Sequence, residues 1–460
     1  MYLPRDIDQV LLEWSEKADR KPLVLRGARQ TGKSASVRHF GKSFDLAIEV
    51  NLERFEDLSM VRSCRSHEDL LSALRTRHNI VEWPRRTLLF LDEIQESPEA
   101  IQWLRFFRED HPDLFVVAAG SLMEVRLADR GFSFPVGRVT FRVQRPFSFF
   151  EFLRAVDHEV LLGVIVDSAL AGSGPPTPVH EQALGVLRDY LLVGGMPEAV
   201  VHWKLENSHE AVRRVHSDLV TGLAEDIQKY GRQRETPYLE AAFENMPHHY
   251  GTRFRYENFA PGFRSQLMKT AISKLEGALV VSRVWPTSSL DLPLRRRPKS
   301  APKLLPLDVG IATHTSALSS DQLRRLPFER LLDGRLAEIL VGQELLAAHD
   351  EADDLFFWVR ESSRGAAEVD FLVQTDDVVL PLEVKAGASG SLKSLHQFLW
   401  RSGRTTGLRL STGEYADELH TVRMPGGELN YRLLSLPLYL AGLVGRNPKA
   451  VLTGETQRSE

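Results

Sequence analysis

The chain has 460 residues, 43% apolar and 26% charged, the proportions of a globular protein with ample core and a length suited to two to four domains. Lys and Arg number 58 against 62 Asp and Glu, so the net charge of −4 excludes a polybasic protein, and any nucleic-acid surface must come from local clustering. The single cysteine, Cys64, excludes an internal disulfide framework and a multi-thiolate metal site, and no apolar run approaches the roughly 20 residues that span a bilayer.

Met1 to Asp6 carry no apolar signal core, so a cytoplasmic setting without a membrane partner is expected. Residues 6–19 read as an amphipathic helix, with Ile7, Val10, Leu11 and Trp14 at helical spacing. Pro22 to Leu25 form a short apolar strand that runs into a glycine-rich loop, and a helix follows from about Lys33 to Phe40. Ala47 to Leu52, Thr87 to Leu91 and Leu114 to Ala119 are further buried-type strands alternating with helices, which implies a parallel sheet covered on both faces. Gly172 to Pro178 read as a flexible segment inside or after a helical lid, and residues 180–245 are mostly helix-patterned. Short helices and a hairpin follow between Arg253 and His314. From about Leu331 the order is helix, strand, strand, strand, helix, strand, and residues 448–460 look polar and frayed.

The loop Gly27-Ala28-Arg29-Gln30-Thr31-Gly32-Lys33-Ser34 has the spacing that cradles phosphates. Gly27 and Gly32 let the backbone fold tightly, Lys33 reaches the β and γ phosphates of ATP, and the Ser34 hydroxyl ligates Mg²⁺. The apolar strand Thr87–Leu91 ends in Asp92 and Glu93, where one carboxylate holds Mg²⁺ through water and the other polarises the attacking water. The next strand ends at Gly120-Ser121. Ser121 reads either as a γ-phosphate sensor or as an ordinary helix cap. Arg138, in the loop Pro135-Val136-Gly137-Arg138, reads as an arginine finger for a neighbouring subunit or as a surface ion pair.

These strings, with Leu91 to Gln95, Ala119 to Ser121, Pro146-Phe147-Ser148-Phe149, Glu151-Phe152-Leu153 and Gly194-Gly195-Met196-Pro197-Glu198, resemble a family of bacterial and archaeal AAA+-type ATPases with a C-terminal region named DUF4143. The resemblance covers nearly the whole chain. It implies an AAA+ core with a helical lid and a homo-oligomer, a hexameric ring being one such form.

Between Arg253 and Asp308 a winged-helix pattern is readable. Phe263 to Glu276 make a helix with Leu267, Ala271 and Leu275 on one face and Arg264, Lys269 and Lys274 on the polar side. Strand-like Ala278 to Val281 follow, then a loop carrying Arg295, Arg296, Arg297 and Lys299, a footprint for phosphate backbones. The same pattern also serves protein contacts.

Farther on, Asp370 stands in one strand and Glu383-Val384-Lys385 end the next, so that Glu383 and Lys385 point to one side. This resembles a PD-(D/E)xK nuclease core, with Glu338 or Glu344 as the additional carboxylate and Gln397 on the following helix. Asp370 and Glu383 would bind Mg²⁺ and Lys385 would orient water, or the domain has lost cleavage and holds DNA.

On this reading the chain is α/β. An AAA+ P-loop core spans residues 1–155, a helical lid 156–205, a helical and winged-helix domain 206–312, a C-terminal α/β restriction-endonuclease-like domain 313–447, and a flexible tail 448–460. It hydrolyses ATP with Mg²⁺ and binds, remodels or translocates double-stranded, branched or broken DNA, in repair, recombination or defence. The alternatives are an ATP-controlled assembly or signalling switch whose C-terminal parts bind protein, and an ATP-dependent nuclease.

Overall fold

The computed structural model describes residues 1–121, 137–227, 231, 233–316, 328–332, 334–349, 354–362, 365–375, 377–387 and 391–453. Strands β1 (Leu23–Arg26), β2 (Leu46–Asn51), β3 (Thr87–Asp92), β4 (Phe115–Gly120) and β5 (Thr140–Val143) form one parallel sheet in the order β2-β3-β4-β1-β5. Alternation sends Val24, Ile48, Val50, Leu89, Leu91, Val116 and Ala118 to one face, where the helices His67–Arg77 and Pro98–Asp110 cover them. Leu23, Leu25, Leu88, Phe90, Phe115, Val117 and Ala119 point the other way, against Ile7, Leu11 and Trp14 of helix Asp6–Glu16 and Val37 and Phe40 of helix Lys33–Gly41. The expected strands are all present. β5, Thr-Phe-Arg-Val, escaped the sequence reading because four half-polar residues carry no burial pattern.

A run of helices follows, from Phe149–Ala155 to Thr236–His249. The segment read as flexible, Gly172 to Pro178, is instead docked: Pro175 is buried, a Cβ on Gly174 would lie 2.9 Å from that of Tyr415, and Thr177 Oγ1 donates to Glu414 at 2.9 Å. Glycine there permits close approach, which composition alone cannot tell from mobility.

The C-terminal sheet has eight strands in the order β12-β13-β11-β10-β9-β8-β6-β7. They are β6 (Val281–Thr287), β7 (Lys303–Pro306), β8 (Leu355–Ser362), β9 (Gly365–Gln374), β10 (Val379–Val384), β11 (Thr406–Ser411), β12 (Ala416–Met424) and β13 (Gly427–Pro437). The hairpin expected as a wing is β6–β7. It starts three residues later than expected, because Leu279 adopts φ 58° and turns the chain after helix Ser265–Gly277. β6 pairs in parallel with β8, so a boundary at 312/313 falls between strands of one sheet. One apolar core runs without a break from Phe149 and Tyr190 through Leu275 and Val284 to Leu340, Phe371 and Leu410. Pro448–Thr453 is a short helix with Ala450 and Val451 buried, although its sequence reads as frayed; residues 454–460 lie outside the described ones. No helix among the described residues is long and apolar enough to cross a membrane.

Arg5 is the pin between the first sheet and the helices beyond it. Its Nε donates to Glu151 Oε1 at 2.9 Å, one terminal nitrogen to Thr31 O at 3.2 Å and the other to Arg145 O at 2.6 Å, while its guanidinium stacks 3.9 Å from the Phe147 ring centroid. Burial alone would push the Glu151 carboxyl up. The Arg5 guanidinium and the N–H groups of Asp6 and Ser148 outweigh that and hold it below its ordinary value. Arg5→Ala leaves a buried carboxylate without its cation, so we expect a loss of about 3–5 kcal/mol in urea unfolding. An unchanged midpoint would show that Glu151 is satisfied without Arg5.

Candidate functional site

Register brings the C-terminal ends of β1, β3 and β4 to one edge, since Arg26 pairs with Gly120 and Asn51 with Asp92. The glycine loop leaves β1 at this edge and opens helix Lys33–Gly41. Gly32 sits at φ 89° and Gln30 at φ 62°, and a Cβ on Gly27 would lie 2.4 Å from the Gln144 carbonyl oxygen, so glycine is required at 27. Gln144, beside the end of β5, braces the loop by donating from Nε2 to Thr31 O and Ser36 Oγ, each at 3.0 Å. No periodicity singled it out in the sequence.

The Lys33 ammonium is buried and donates to the carbonyls of Gly27 at 3.1 Å and Ala28 at 2.7 Å. Burial pushes its pKa down to about 8, against the pull of Glu93 and Asp92. Ser34 Oγ donates to Asp92 Oδ1 at 2.9 Å, and Asn51 Nδ2 approaches Asp92 Oδ2 at 3.5 Å. Burial and the neighbouring carboxylates push Asp92 up to about 6, although the Ser34 hydrogen bond pulls it down. A hydroxyl and a charge-strained carboxylate side by side are the oxygen pair that fits Mg²⁺ held between nucleotide and protein. Glu93 follows at φ 52°, a conformation that turns its side chain out of strand register, and Gln95 Nε2 donates to Glu93 Oε2 at 2.5 Å. Ser121, just past β4, has a buried Oγ with no partner among the described residues. Lys33, Ser34, Asp92, Glu93 and Ser121 therefore share one edge.

Arg138 does not join them. It precedes β5, whose Thr140 pairs with Leu23 at the start of β1, so it stands at the opposite edge, half-exposed and 3.3 Å from Glu109. Pro135 and Val136 of its loop lie outside the described residues. Arg29 points outward from the loop to Glu53 at 3.1 Å and to Asp226, at the end of helix His209–Asp226, at 2.9 Å.

The basic residues expected to meet DNA divide into two groups. Lys274 is paired with Glu235 at 2.9 Å, Arg296 with Asp354 while stacked on Trp285, and Arg297 lies 3.7 Å from Glu361. Arg264, Lys269, Arg295 and Lys299 are exposed and make no ion pair among the described residues. Lys269 and Lys299 line a groove of about 560 Å³ with Arg253, Arg255 and Tyr256, three residues the sequence reading passed over because they precede the helix in an irregular stretch.

In the C-terminal domain Asp370 on β9 and Glu383 on β10 do converge, and Lys385 Nζ lies 2.6 Å from Glu383 Oε1. Glu338, on helix Gly334–Ala347, reaches the same cluster. Glu344 does not. Six residues turn a helix by roughly 240°, which carries Glu344 to the interdomain core, where it accepts from Phe149 N at 2.9 Å and Tyr190 OH at 3.0 Å. Of the two expected metal ligands, Asp370 faces the ammonium of Lys303, from β7, at 3.7 Å and Glu383 faces that of Lys385, while Lys303 also pairs with Glu338 and the adjoining Glu368. The cluster in this arrangement does not fit a nuclease metal.

Three family models match the chain: residues 19–153 match an AAA domain, 185–322 a domain of unknown function, DUF8612, and 333–427 another, DUF4143. No curated protein matches it. Among solved structures it is similar to the Walker-type ATPase of Pyrococcus abyssi, with 15% identity over 68% of this chain and 95% of that one and a TM-score of 0.42. It is also similar to the ORC2 protein of Aeropyrum pernix, at 13% identity over 74% and 96% with a TM-score of 0.27, and to Drosophila ORC bound to DNA, at 14% over 69% and 88% with a TM-score of 0.24.

The Ser34–Asp92 pair makes a direct test of the Mg²⁺ assignment. Ser34→Ala should leave metal-free nucleotide binding intact and weaken the Mg²⁺-dependent gain in affinity by roughly 10–100-fold. Equal gains in both proteins, in a fluorescent-nucleotide titration, would remove Ser34 from the metal site.

Proposed function

We propose that this chain, an AAA-type P-loop ATPase with a C-terminal DUF4143 domain, couples Mg²⁺-dependent ATP hydrolysis to the binding and remodelling of DNA. The observation that carries the DNA part is the set of exposed cations Arg264, Lys269, Arg295 and Lys299, without ion pairs among the described residues, of which Lys269 and Lys299 line the groove with Arg255 and Tyr256. In a chain of net charge −4, such a local excess of cations favours a polyanion.

In this reading Gly27 to Gly32 cradle the phosphates, Lys33 leaves its loop carbonyls for the β and γ phosphates, and Ser34 with Asp92 holds Mg²⁺. Glu93 orients the attacking water, and the Ser121 hydroxyl reports on the γ phosphate. Arg138, remote from its own loop, acts on a neighbouring subunit's nucleotide, which makes the working form a homo-oligomer. Nucleotide state reaches the rest of the molecule through three contacts of the loop itself. Arg29 holds Asp226, Thr31 holds Arg5, and Pro197 lies 3.5 Å from where a Cβ on Gly32 would stand.

Turnover should rise with one of single-stranded, duplex or four-way-branched DNA. A flat response to all three would favour the switch that binds protein. Lys33→Ala should abolish turnover and Glu93→Gln should hold ATP unhydrolysed, and normal ATPase in either would remove that residue from the mechanism. Mixing Arg138→Ala with Lys33→Ala subunits should restore part of the activity, and no recovery would count against action in trans.

The division of the basic residues gives a sharper test of the DNA surface. Reversing Lys269 or Lys299 should weaken binding across sequences and reduce the salt slope by about 1 for each phosphate left without its cation. Reversing Lys274, already paired with Glu235, should leave the slope unchanged and lower the unfolding midpoint. The opposite pattern would place the nucleic acid elsewhere.

A further inference from the structure

We infer that the C-terminal carboxylate cluster is closed by a cation of the protein's own: the ammonium of Lys303, delivered by β7, stands among Glu338, Glu368 and Asp370, and the cluster holds its shape without a divalent ion.

Lys303 Nζ lies 2.6 Å from Glu338 Oε2, 2.8 Å from Glu368 Oε1 and 3.7 Å from Asp370 Oδ1. Three carboxylates on two elements thus surround the ammonium, two of them within hydrogen-bond distance and Asp370 as a charge partner. Several of the other oxygens are spoken for as well. Asp370 Oδ2 accepts from Val384 N at 2.8 Å, Glu368 Oε2 faces Arg253 at 3.7 Å, and Glu383 Oε1 takes Lys385. Among the described residues, Glu383 Oε2 is the buried oxygen of this cluster that lacks a partner.

Mg²⁺ demands a near-octahedral shell of oxygens at roughly 2.0–2.1 Å. Here an ammonium already lies within hydrogen-bond reach of two of the oxygens, and a divalent ion beside it would meet like-charge repulsion in a site with little water to screen it. The lysine is buried against its surroundings. It is 3% exposed and its ammonium lies 5.2 Å from the Phe357 ring centroid. Its backbone is fixed by the pairing of Lys303 with Val284 in β6 and by Gly251 N donating to Leu304 O at 2.8 Å.

Closure has a structural consequence. Lys303 ends the loop that carries Arg295 and Lys299, so the cluster anchors the base of that loop to β9 and helix Gly334–Ala347. That consequence rests on the DNA reading, whereas the closure itself does not, and its test uses no DNA.

Mn²⁺ titrated into the full-length chain without nucleotide, with free Mn²⁺ read by electron paramagnetic resonance, decides the matter. The native chain and Asp370→Asn should bind the same amount, because any ion at the phosphate loop is common to both. An equivalent of Mn²⁺ missing in Asp370→Asn would overturn the inference. Lys303→Met, which removes the ammonium and keeps the bulk, should gain one equivalent that Lys303→Met/Asp370→Asn lacks. A folded Lys303→Met chain without that gain would show that something other than Lys303 closes the cluster. If Lys303→Met does not fold, the comparison of the native chain with Asp370→Asn still supports or overturns the inference by itself.

Discussion

A buried arginine near the start of the chain holds the phosphate loop, the strand that braces it and the first helix beyond the sheet in one arrangement. Arg5 reaches Thr31, Arg145 and Glu151 with its three nitrogens, and Glu151 closes the N-terminus of its own helix by accepting from Ser148 N at 2.9 Å. A buried pair of this kind gives little net stability over an apolar replacement, because both ions lose their hydration. What it supplies is direction. A planar guanidinium satisfied on three sides admits one relative placement of the elements it joins, and that placement fixes the loop against the helical region.

The same logic recurs deeper in the molecule, always where a glycine lets backbone and side chain meet. Gly195 N donates to Asp308 at 2.6 Å, and a Cβ on Gly195 would lie 2.1 Å from the Phe147 carbonyl oxygen. Tyr190 donates to Phe147 O and to Glu344, and Gln343 donates to Tyr190. The helices after the first sheet are thus tied to helix Gly334–Ala347 of the C-terminal domain by hydrogen bonds in a dry core, where an unmade bond is costly. These bonds join the helical region to the C-terminal domain through groups with little freedom to move apart.

Charge is sorted with comparable economy. Among the cations near the C-terminal sheet, Lys274, Arg296, Arg297 and Lys303 are paired, whereas Lys269 and Lys299 are left exposed at the groove beside Tyr256. Only the second group offers charge that is not already neutralised, and a residue's type does not reveal its group. Carboxylates divide the same way. Asp92 keeps a hydroxyl partner, whereas Asp370 and Glu338 face a resident ammonium.

The sequence by itself determined what depends on near neighbours in the chain. The glycine loop with its lysine and serine, the apolar strand ending in Asp92 and Glu93, the parallel core strands and the order of elements after Leu331 are all written in spacing and periodicity, because each needs only local geometry to take shape. Tertiary structure alone decided the rest. β5 and β12 are half-polar or exposed strands whose pattern is too weak to read, and β6–β7 joins the C-terminal sheet through a pairing with β8 that lies some seventy residues away. Arg5, Gln144 and Lys303 have no motif around them. Each acts on residues far along the chain, Arg5 on Glu151, Gln144 on Thr31 and Lys303 on Glu338, Glu368 and Asp370, and such meetings exist only once the core has brought the segments together. Glu338 and Glu344 show the limit most plainly. Identical residues on one helix, they part company because its turn sends one to a lysine and the other into the core.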